Sequence, residues 1–374
     1  MASEPKHPIV IVGGGIIGLS TGWVLSEAGA HVVVLERGQA GRGTSWLAAG
    51  MLAADAEIGF EEIDLYEFSR ESLRRWPGFA DRLSARSGVD VDFRAEETMV
   101  VADDPDSAEA LRRVYDFQVQ QGLDVRWLTG GEALEVEPFL APRLSAAVLS
   151  PHDRQVDNRA VVEALAAAFS AAGGELREHT NVVEIEPGAR PTALVDGGER
   201  IEASRIILAA GAWSRQIGGL PPETKPDVRP VKGQMAELKM VPPFGLSHVI
   251  RGPHAYLAPK SDGRLLVGAT SEEMGFDTSV TAGGLYEILD GAWEVVPGIY
   301  DLPLTEVWAG LRPASKDHRP ILGEAAENII FATGHYRHGI LLAAITAEEI
   351  ANLVLTGETS SWITPFAPLR LAGS

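Results

Sequence analysis

The chain has 374 residues, 45% apolar and 22% charged: long enough for two or three domains, or one large domain with inserts, and too apolar for a disordered chain. Its 32 basic and 52 acidic residues leave a formal charge of −20, which repels nucleic acid and anionic lipid and argues against either as the main partner. There is no cysteine, which excludes disulfides, iron–sulfur clusters, thiolate zinc sites, a cysteine nucleophile and a cofactor tethered through sulfur.

In chain order, residues 8–36 read as a βαβ unit. PIVIV is a short β-branched run, IIGLSTGWVLSEAG has helical apolar spacing that stops at Gly29, and HVVVLE is a second strand. Both strands are apolar throughout rather than alternating, as in a parallel sheet covered on both faces. The polar leader runs straight into the first strand, so no signal peptide is expected. Residues 62–87 are predicted helical with a break at Trp76-Pro77-Gly78, 89–102 as strands and 105–122 as helix. The stretch 157–172 is an amphipathic helix, with Asp157 or Asn158 as N-cap and Gly173-Gly174 as the stop. ELREHTNVVEIEP and RIILAAGAW read as strands, and HAYLAPKSDGRLLVGAT as a hairpin around Ser261-Asp262-Gly263. At the C-terminus NIIFATG is strand, GHYRHG loop, and ILLAAITAEEIANLVL a long buried helix. That helix is the closest approach to a membrane span, and Glu348 and Glu349 interrupt it. A soluble cytoplasmic protein is expected.

Parallel-type strands cluster near 8–36, 176–211 and 328–334, and hairpin-type strands fill 89–102 and 228–310. The simplest arrangement is an α/β protein: a discontinuous Rossmann-type cofactor domain with an inserted α+β substrate domain on a mainly antiparallel sheet. Residues 1–87, 151–225 and 308–374 would form the first, and 88–150 and 226–307 the second.

Gly13-x-Gly15-x-x-Gly18 lies between the first strand and the helix. The first glycine permits the tight turn, the second lets backbone approach a pyrophosphate, and the third lets helix and strand pack closely. The pyrophosphate then sits at the helix N-terminus. Glu36 ends the second strand, where a ribose-binding carboxylate belongs. NAD or FAD would satisfy this unit. Two segments favour FAD: GRGTSWLAAGM, with Thr44, Ser45 and the small Ala49-Gly50, and Gly334–Leu342, whose N–H groups can face an isoalloxazine edge.

VIVGGGIIG, TSWLAAGM, RIILAAGAW, HAYLAPKSDGRLLVGAT, WAGLRPASKDHRPILG and GHYRHGILL resemble the D-amino-acid oxidase superfamily, and within it the glycine oxidase family. The likeness runs from about residue 8 to 356. It implies a glutathione-reductase-type FAD domain. FAD would contact Gly13, Gly15, Ile16, Ile17, Gly18, Glu36, Arg37, Thr44, Ser45, Ala49, Gly50 and Met51. It would also meet Val182, Gly211 and the loop His335, Tyr336, Arg337, His338, Gly339, Ile340 and Leu341. Relatives that attach flavin through histidine carry it where Leu47 stands here, so the FAD is expected to be non-covalent.

The natural holder of an amino-acid carboxylate is arginine, whose planar fork makes two parallel hydrogen bonds. The resemblance assigns that role to Arg312 of WAGLRP, places the Tyr256 hydroxyl beside it, and puts His254 and Arg337 in the same pocket. It implies hydride transfer from the substrate Cα to flavin N5, which needs no acid–base pair. No metal is expected; His335 and His338 read as flavin-loop residues. Three positions depart from the family pattern: Arg251 for tyrosine, Ser271 for methionine and His338 for asparagine. With Met51, the first two are expected to tune the substrate toward larger or anionic amines. The implied activity is oxidation of glycine, sarcosine or small D-amino acids to a 2-oxo acid and ammonia or amine, with oxygen becoming hydrogen peroxide. A role in thiamine thiazole synthesis and a homotetramer are implied too. The alternatives are a dehydrogenase passing electrons to a quinone or carrier, and a flavin-binding subunit without turnover.

Overall fold

The computed structural model describes residues 7–58 and 63–371. Its first sheet has six strands in the order Ile321–Ala326, Ile329–Thr333, Arg205–Leu208, Ile9–Val12, Val32–Leu35 and Glu175–Arg177. Neighbours are parallel throughout except the outer pair 321–326 with 329–333. The strands 9–12 and 32–35 are buried at every residue, as their unbroken apolar pattern requires. Helices Ile16–Glu27, Asn158–Ala171 and Ala343–Thr356 cover one face and share one core with the strands. The other face is closed by the three-stranded sheet Val182–Glu186, Thr192–Val195 and Arg200–Glu202. The helix 158–171 begins and ends where its sequence says: the Asp157 carboxylate accepts from the N–H groups of Arg159 and Ala160, and Gly173 takes a φ of +86° beyond its end.

The second sheet has eight strands in the order Leu304–Ser315, Val228–Lys239, Arg264–Gly268, Tyr256–Pro259, Val249–Arg251, Thr98–Ala102, Ala146–Ser150 and Arg126–Thr129. Only the pair 249–251 with 98–102 is parallel. The hairpin 256–268 forms as predicted. The two 12-residue strands run side by side with Val231 opposite Arg312 and Gly233 opposite Gly310. Helices Pro105–Gln120 and Ala282–Val295 pack on this sheet.

Four local expectations are corrected. The break at Trp76-Pro77-Gly78 does not form: Ile63–Ser87 is one helix with Pro77 inside it, and residue 62 lies outside the described residues. A mid-helix proline forfeits a hydrogen bond and crowds the preceding turn. Here Trp76 and Phe79 lie fully in the core on either side of it, their rings 5.3 Å apart, and that packing outweighs the local cost. Of 89–102 only Thr98–Ala102 is a strand, because Asp92 turns the chain at a φ of +49° and Arg94 makes a single bridge to Gln155. The run 175–187 splits into Glu175–Arg177 and Val182–Glu186, which belong to different sheets, and His179 at a φ of +54° makes the turn between them. The C-terminal helix starts at Ala343 rather than Ile340, so the loop before it is longer than expected. Among the described residues no helix is long and apolar enough to cross a membrane.

Candidate functional site

A cavity of about 650 Å³ opens where the C-terminal ends of the parallel strands meet the eight-stranded sheet. Open α/β sheets bind ligands at this edge.

On one side the cavity wall is mostly backbone. Gly13, Gly15, Ile16 and Ile17 line it at the start of the first helix. Gly13 has a φ of +111°, and a Cβ there would lie 2.5 Å from the Ala209 carbonyl oxygen, so only glycine fits. Gly18 does not line the cavity. A Cβ on it would stand 1.9 Å from the Gly13 oxygen, so its part is the close packing of helix on strand. The Ser45 hydroxyl accepts from the Ile16 N–H at 2.9 Å. The two Glu36 oxygens accept from the N–H groups of Gly14 (2.7 Å) and Gly38 (2.9 Å), which fixes the carboxylate at the cavity edge. The Arg37 guanidinium lies 3.6 Å above the Trp213 ring centroid, and both face the cavity. Thr44 lines it too but donates its hydroxyl to the Leu311 carbonyl at 2.7 Å, tying this loop to the long strand 304–315. Ala49, Gly50, Met51, Val182, Gly211 and the loop from His335 to Leu341 complete this wall.

That loop is anchored from behind. The Leu341 carbonyl accepts from Ser72 Oγ (2.5 Å) and Trp76 Nε1 (2.8 Å) of the long helix. His335 is buried with Nε2 3.1 Å from Thr346 Oγ1, and burial lowers its pKa to about 3, so the ring is neutral. The glycine cradle, the braced carboxylate and the apolar flank at Leu47–Met51 fit a dinucleotide that ends in a flat ring.

On the other side the wall carries charged side chains. Arg312 Nη1 donates to the carbonyls of Thr270 (3.0 Å) and Lys232 (3.4 Å), and a Cβ on Gly233 would lie 2.4 Å from Nη2, so glycine leaves room for the fork. Among the described residues no carboxylate pairs with Arg312. The Tyr256 hydroxyl stands 3.5 Å from Met235 Sδ; burial raises its pKa, opposed by Arg312 and Arg251. Arg251, with Nη1 4.0 Å from Met51 Sδ, is not a lone cation: it is ion-paired with Glu57. Burial alone would raise the pKa of Glu57, but Arg251, His338 and Arg337 outweigh it and hold the carboxyl below its usual value. His338 Nδ1 lies 3.6 Å from Glu57. Ser271, Arg337 and His254 line the same cavity, with His254 exposed at the rim beside Asp103 and Glu294. All the expected site residues except Gly18 therefore converge on one cavity.

Three groups, Glu57 half-buried and Lys260 and Asp153 buried, escaped the sequence reading. Glu57 has no local motif. Lys260, adjoining the hairpin turn, is fully buried and donates to Ala49 O (2.7 Å), Val156 O (2.7 Å) and Gln155 Oε1 (3.3 Å). Its three ammonium protons thus meet three acceptors, and burial lowers its pKa to about 8. Asp153 accepts from the N–H groups of Asp55 (3.0 Å) and Ala56 (3.2 Å), and burial, with Asp55 and Glu57 nearby, raises its pKa to about 7. Neither carries a sequence signal: Asp153 lies in the polar run His152–Gln155, and Lys260 opens the polar turn Ser261-Asp262.

The pattern of the DAO family, FAD dependent oxidoreductase, matches residues 8–353. The chain belongs to this family. Its cofactor is FAD. The chain is 36% identical to the glycine oxidase of Geobacillus kaustophilus over 98% of both chains, and superimposes on a crystal structure of that enzyme with a TM-score of 0.91. It is 33% identical to the bifunctional protein ThiO/ThiG of Synechocystis, across 98% of this chain and 54% of that one. The structure of iminodiacetate oxidase from Chelativorans matches with a TM-score of 0.86 at 26% identity, covering 96% of this chain and 98% of that one.

Proposed function

We propose that this FAD-dependent enzyme oxidises glycine, sarcosine and small D-amino acids. The observation that carries the reading is Arg312: a guanidinium with no carboxylate partner among the described residues, held by two backbone carbonyls in the cavity that holds the FAD cradle. Arg312 binds the substrate carboxylate through its fork, and the Tyr256 hydroxyl, kept protonated by burial, donates to the same group. Together they orient the Cα–H, and orientation of this kind replaces a dedicated base. FAD, held without a covalent bond by the glycine cradle and Glu36 beside Leu47, would supply the two-electron oxidation, with oxygen as acceptor and hydrogen peroxide as its product. The product imine is hydrolysed by water to the 2-oxo acid and ammonia or amine. The likeness to ThiO/ThiG supports delivery of iminoglycine to thiamine thiazole synthesis. The reading includes a soluble cytoplasmic homo-oligomer, a tetramer, with the substrate domain at 88–150 and 226–307 and the FAD domain at 1–87, 151–225 and 308–374.

The test is anaerobic mixing of the purified holoenzyme with glycine, sarcosine, D-alanine and D-proline. Glycine or sarcosine should bleach the yellow colour, and admitting air should consume oxygen and release peroxide. A flavin that stays oxidised with every amine would refute the reading. All colour should stay in solution after acid precipitation.

A further inference from the structure

The two carbonyls that hold Arg312 are themselves held. They belong to different elements: Lys232 lies in the long strand 228–239, and Thr270 in the connection that follows the strand 264–268. One residue ties them together. The Glu272 N–H donates to the Lys232 carbonyl at 3.0 Å, and the Glu272 carbonyl accepts from the Lys232 N–H at 2.9 Å. The Glu272 carboxylate accepts from the Thr270 hydroxyl and, at 2.8 Å, from Gln234 Nε2. The Thr270 hydroxyl in turn accepts from the Gln234 N–H at 2.9 Å. Thr270 is thus fixed at its hydroxyl by Glu272 and Gln234, while its carbonyl fixes Arg312.

Charge holds Glu272 in the same place. Lys232 is fully buried, and its ammonium lies 2.7 Å from Asp277 and 3.8 Å from Glu272. A buried cation keeps its counter-ions close, because separating them is costly. Burial alone would raise the pKa of Glu272, but the hydrogen bonds from Thr270 and Gln234 and the charge of Lys232 outweigh it and hold the carboxyl below its usual value. Glu272 does not line the cavity, whereas its neighbours Thr270 and Ser271 do. It can therefore reach a substrate only through other residues.

We propose that Glu272 is a positioning residue for substrate binding: acting through Thr270, it sets the direction in which the Arg312 fork meets the substrate carboxylate. This rests on the amine-oxidation reading above. Two parallel hydrogen bonds to a carboxylate tolerate little error in the plane of the guanidinium, so a small shift of the Thr270 carbonyl is felt at the substrate.

The test is a double-mutant cycle on the holoenzyme, read with methoxyacetate, a carboxylate that cannot be oxidised as an amine. Its dissociation constant comes from the change in flavin absorbance on titration. Glu272→Ala should weaken methoxyacetate by about 3–10-fold, the effect of one lost hydrogen bond, and lower kcat/KM for sarcosine by a similar factor, with FAD affinity near native. In an Arg312→Ala background the same change should cost nothing further, because the group it aims is gone. Glu272→Gln keeps an acceptor for Thr270 and should restore part of the affinity. Asp277→Ala removes the other carboxylate of Lys232 but leaves the Thr270 bond in place, and should cost less than Glu272→Ala. Unchanged methoxyacetate affinity in Glu272→Ala, an equal loss in the Arg312→Ala background, or an equal loss in Asp277→Ala would overturn the proposal. Native methoxyacetate affinity in Arg312→Ala alone would instead overturn the carboxylate-binding reading, and the proposal with it.

Discussion

The two walls of the cavity recognise their ligands by different means. The wall at the ends of the parallel strands offers glycines, backbone N–H groups and one carboxylate, Glu36, already hydrogen-bonded to its own loops. The facing side offers ionised side chains, Arg312 and Arg251 of the eight-stranded sheet with Glu57 and Arg337 from adjoining loops, within electrostatic range of one tyrosine or of each other. The first kind of recognition is conformational: it is lost when a side chain is added, as at Gly13 or Gly50. The second is electrostatic, and it is lost when a side chain is removed. The cofactor wall is therefore common to many chemistries, while the substrate wall carries the choice of amine.

The largest effect should come from breaking the substrate wall at its centre. Arg312→Ala leaves a carboxylate to enter the cavity unpaired, which costs about 3–5 kcal/mol. That is roughly 10²–10³-fold or more in kcat/KM. Arg312→Lys should recover only part, while FAD affinity and melting temperature stay near native. A variant with near-native kcat/KM for sarcosine would mean that the carboxylate is held elsewhere. Lys260→Met tests the joint between the walls. It strands three acceptors, on the 49–51 segment and on 155–156, and should cost about 2–3 kcal/mol of stability in denaturant unfolding. On the cofactor wall, Glu36→Ala should weaken FAD by about 1.5–3 kcal/mol without changing turnover of the fully loaded enzyme. Unchanged FAD affinity together with collapsed turnover would put Glu36 on the wrong wall. Arg251→Tyr with Ser271→Met should shift the kcat/KM ratio toward glycine and away from anionic amines by about tenfold. Because Arg251 is paired, Glu57→Gln should relieve part of the change.

The smallest effect concerns pH. Asp153 in the fold holds its proton up to about pH 7, against an ordinary value of 3.8, so its contribution to stability is complete below the lower value and is lost as pH rises through the higher one. His335 does the reverse: its pKa falls from 6.5 to about 3, and its contribution is complete above 6.5 and lost as pH falls. Between about pH 4 and 6.5 the two oppose each other. Asp153→Asn removes one of them, so its melting temperature should drop more steeply on acidification than that of the native protein. Parallel melting curves would sink this pairing.

The cofactor wall was legible because it is local. Gly13, Gly15, Gly18 and Glu36 fall within one βαβ unit, and each spacing has a steric or electrostatic reason. Arg312 and Tyr256 were reached through the family likeness, since nothing around Arg312 alone distinguishes it from a surface ion pair. Their surroundings were not legible. Arg251 and Glu57 are 194 positions apart, and Lys260 and Ala49 are 211 apart. No periodicity or motif reports such pairs, which exist only once the two sheets have docked. The misjudged proline has the same origin: Pro77 obeys local rules, and Trp76, bonded to Leu341 across 265 positions, overrides them.

The paired strands 228–239 and 304–315 bear on how this chain can diverge. Along them successive side chains point to opposite sides, so Arg312 lines the cavity while Leu311 beside it is buried away from it. Replacing residues on either strand leaves that alternation intact. Inserting a single residue between 304 and 311 would turn Arg312 inside out and bring Leu311 to the substrate, and deleting one would bring Pro313 there. Drift in composition is open to this part of the protein, and change in length is closed to it. Insertions between relatives should therefore collect in connections such as 240–248 and 269–281, where the chain runs between elements.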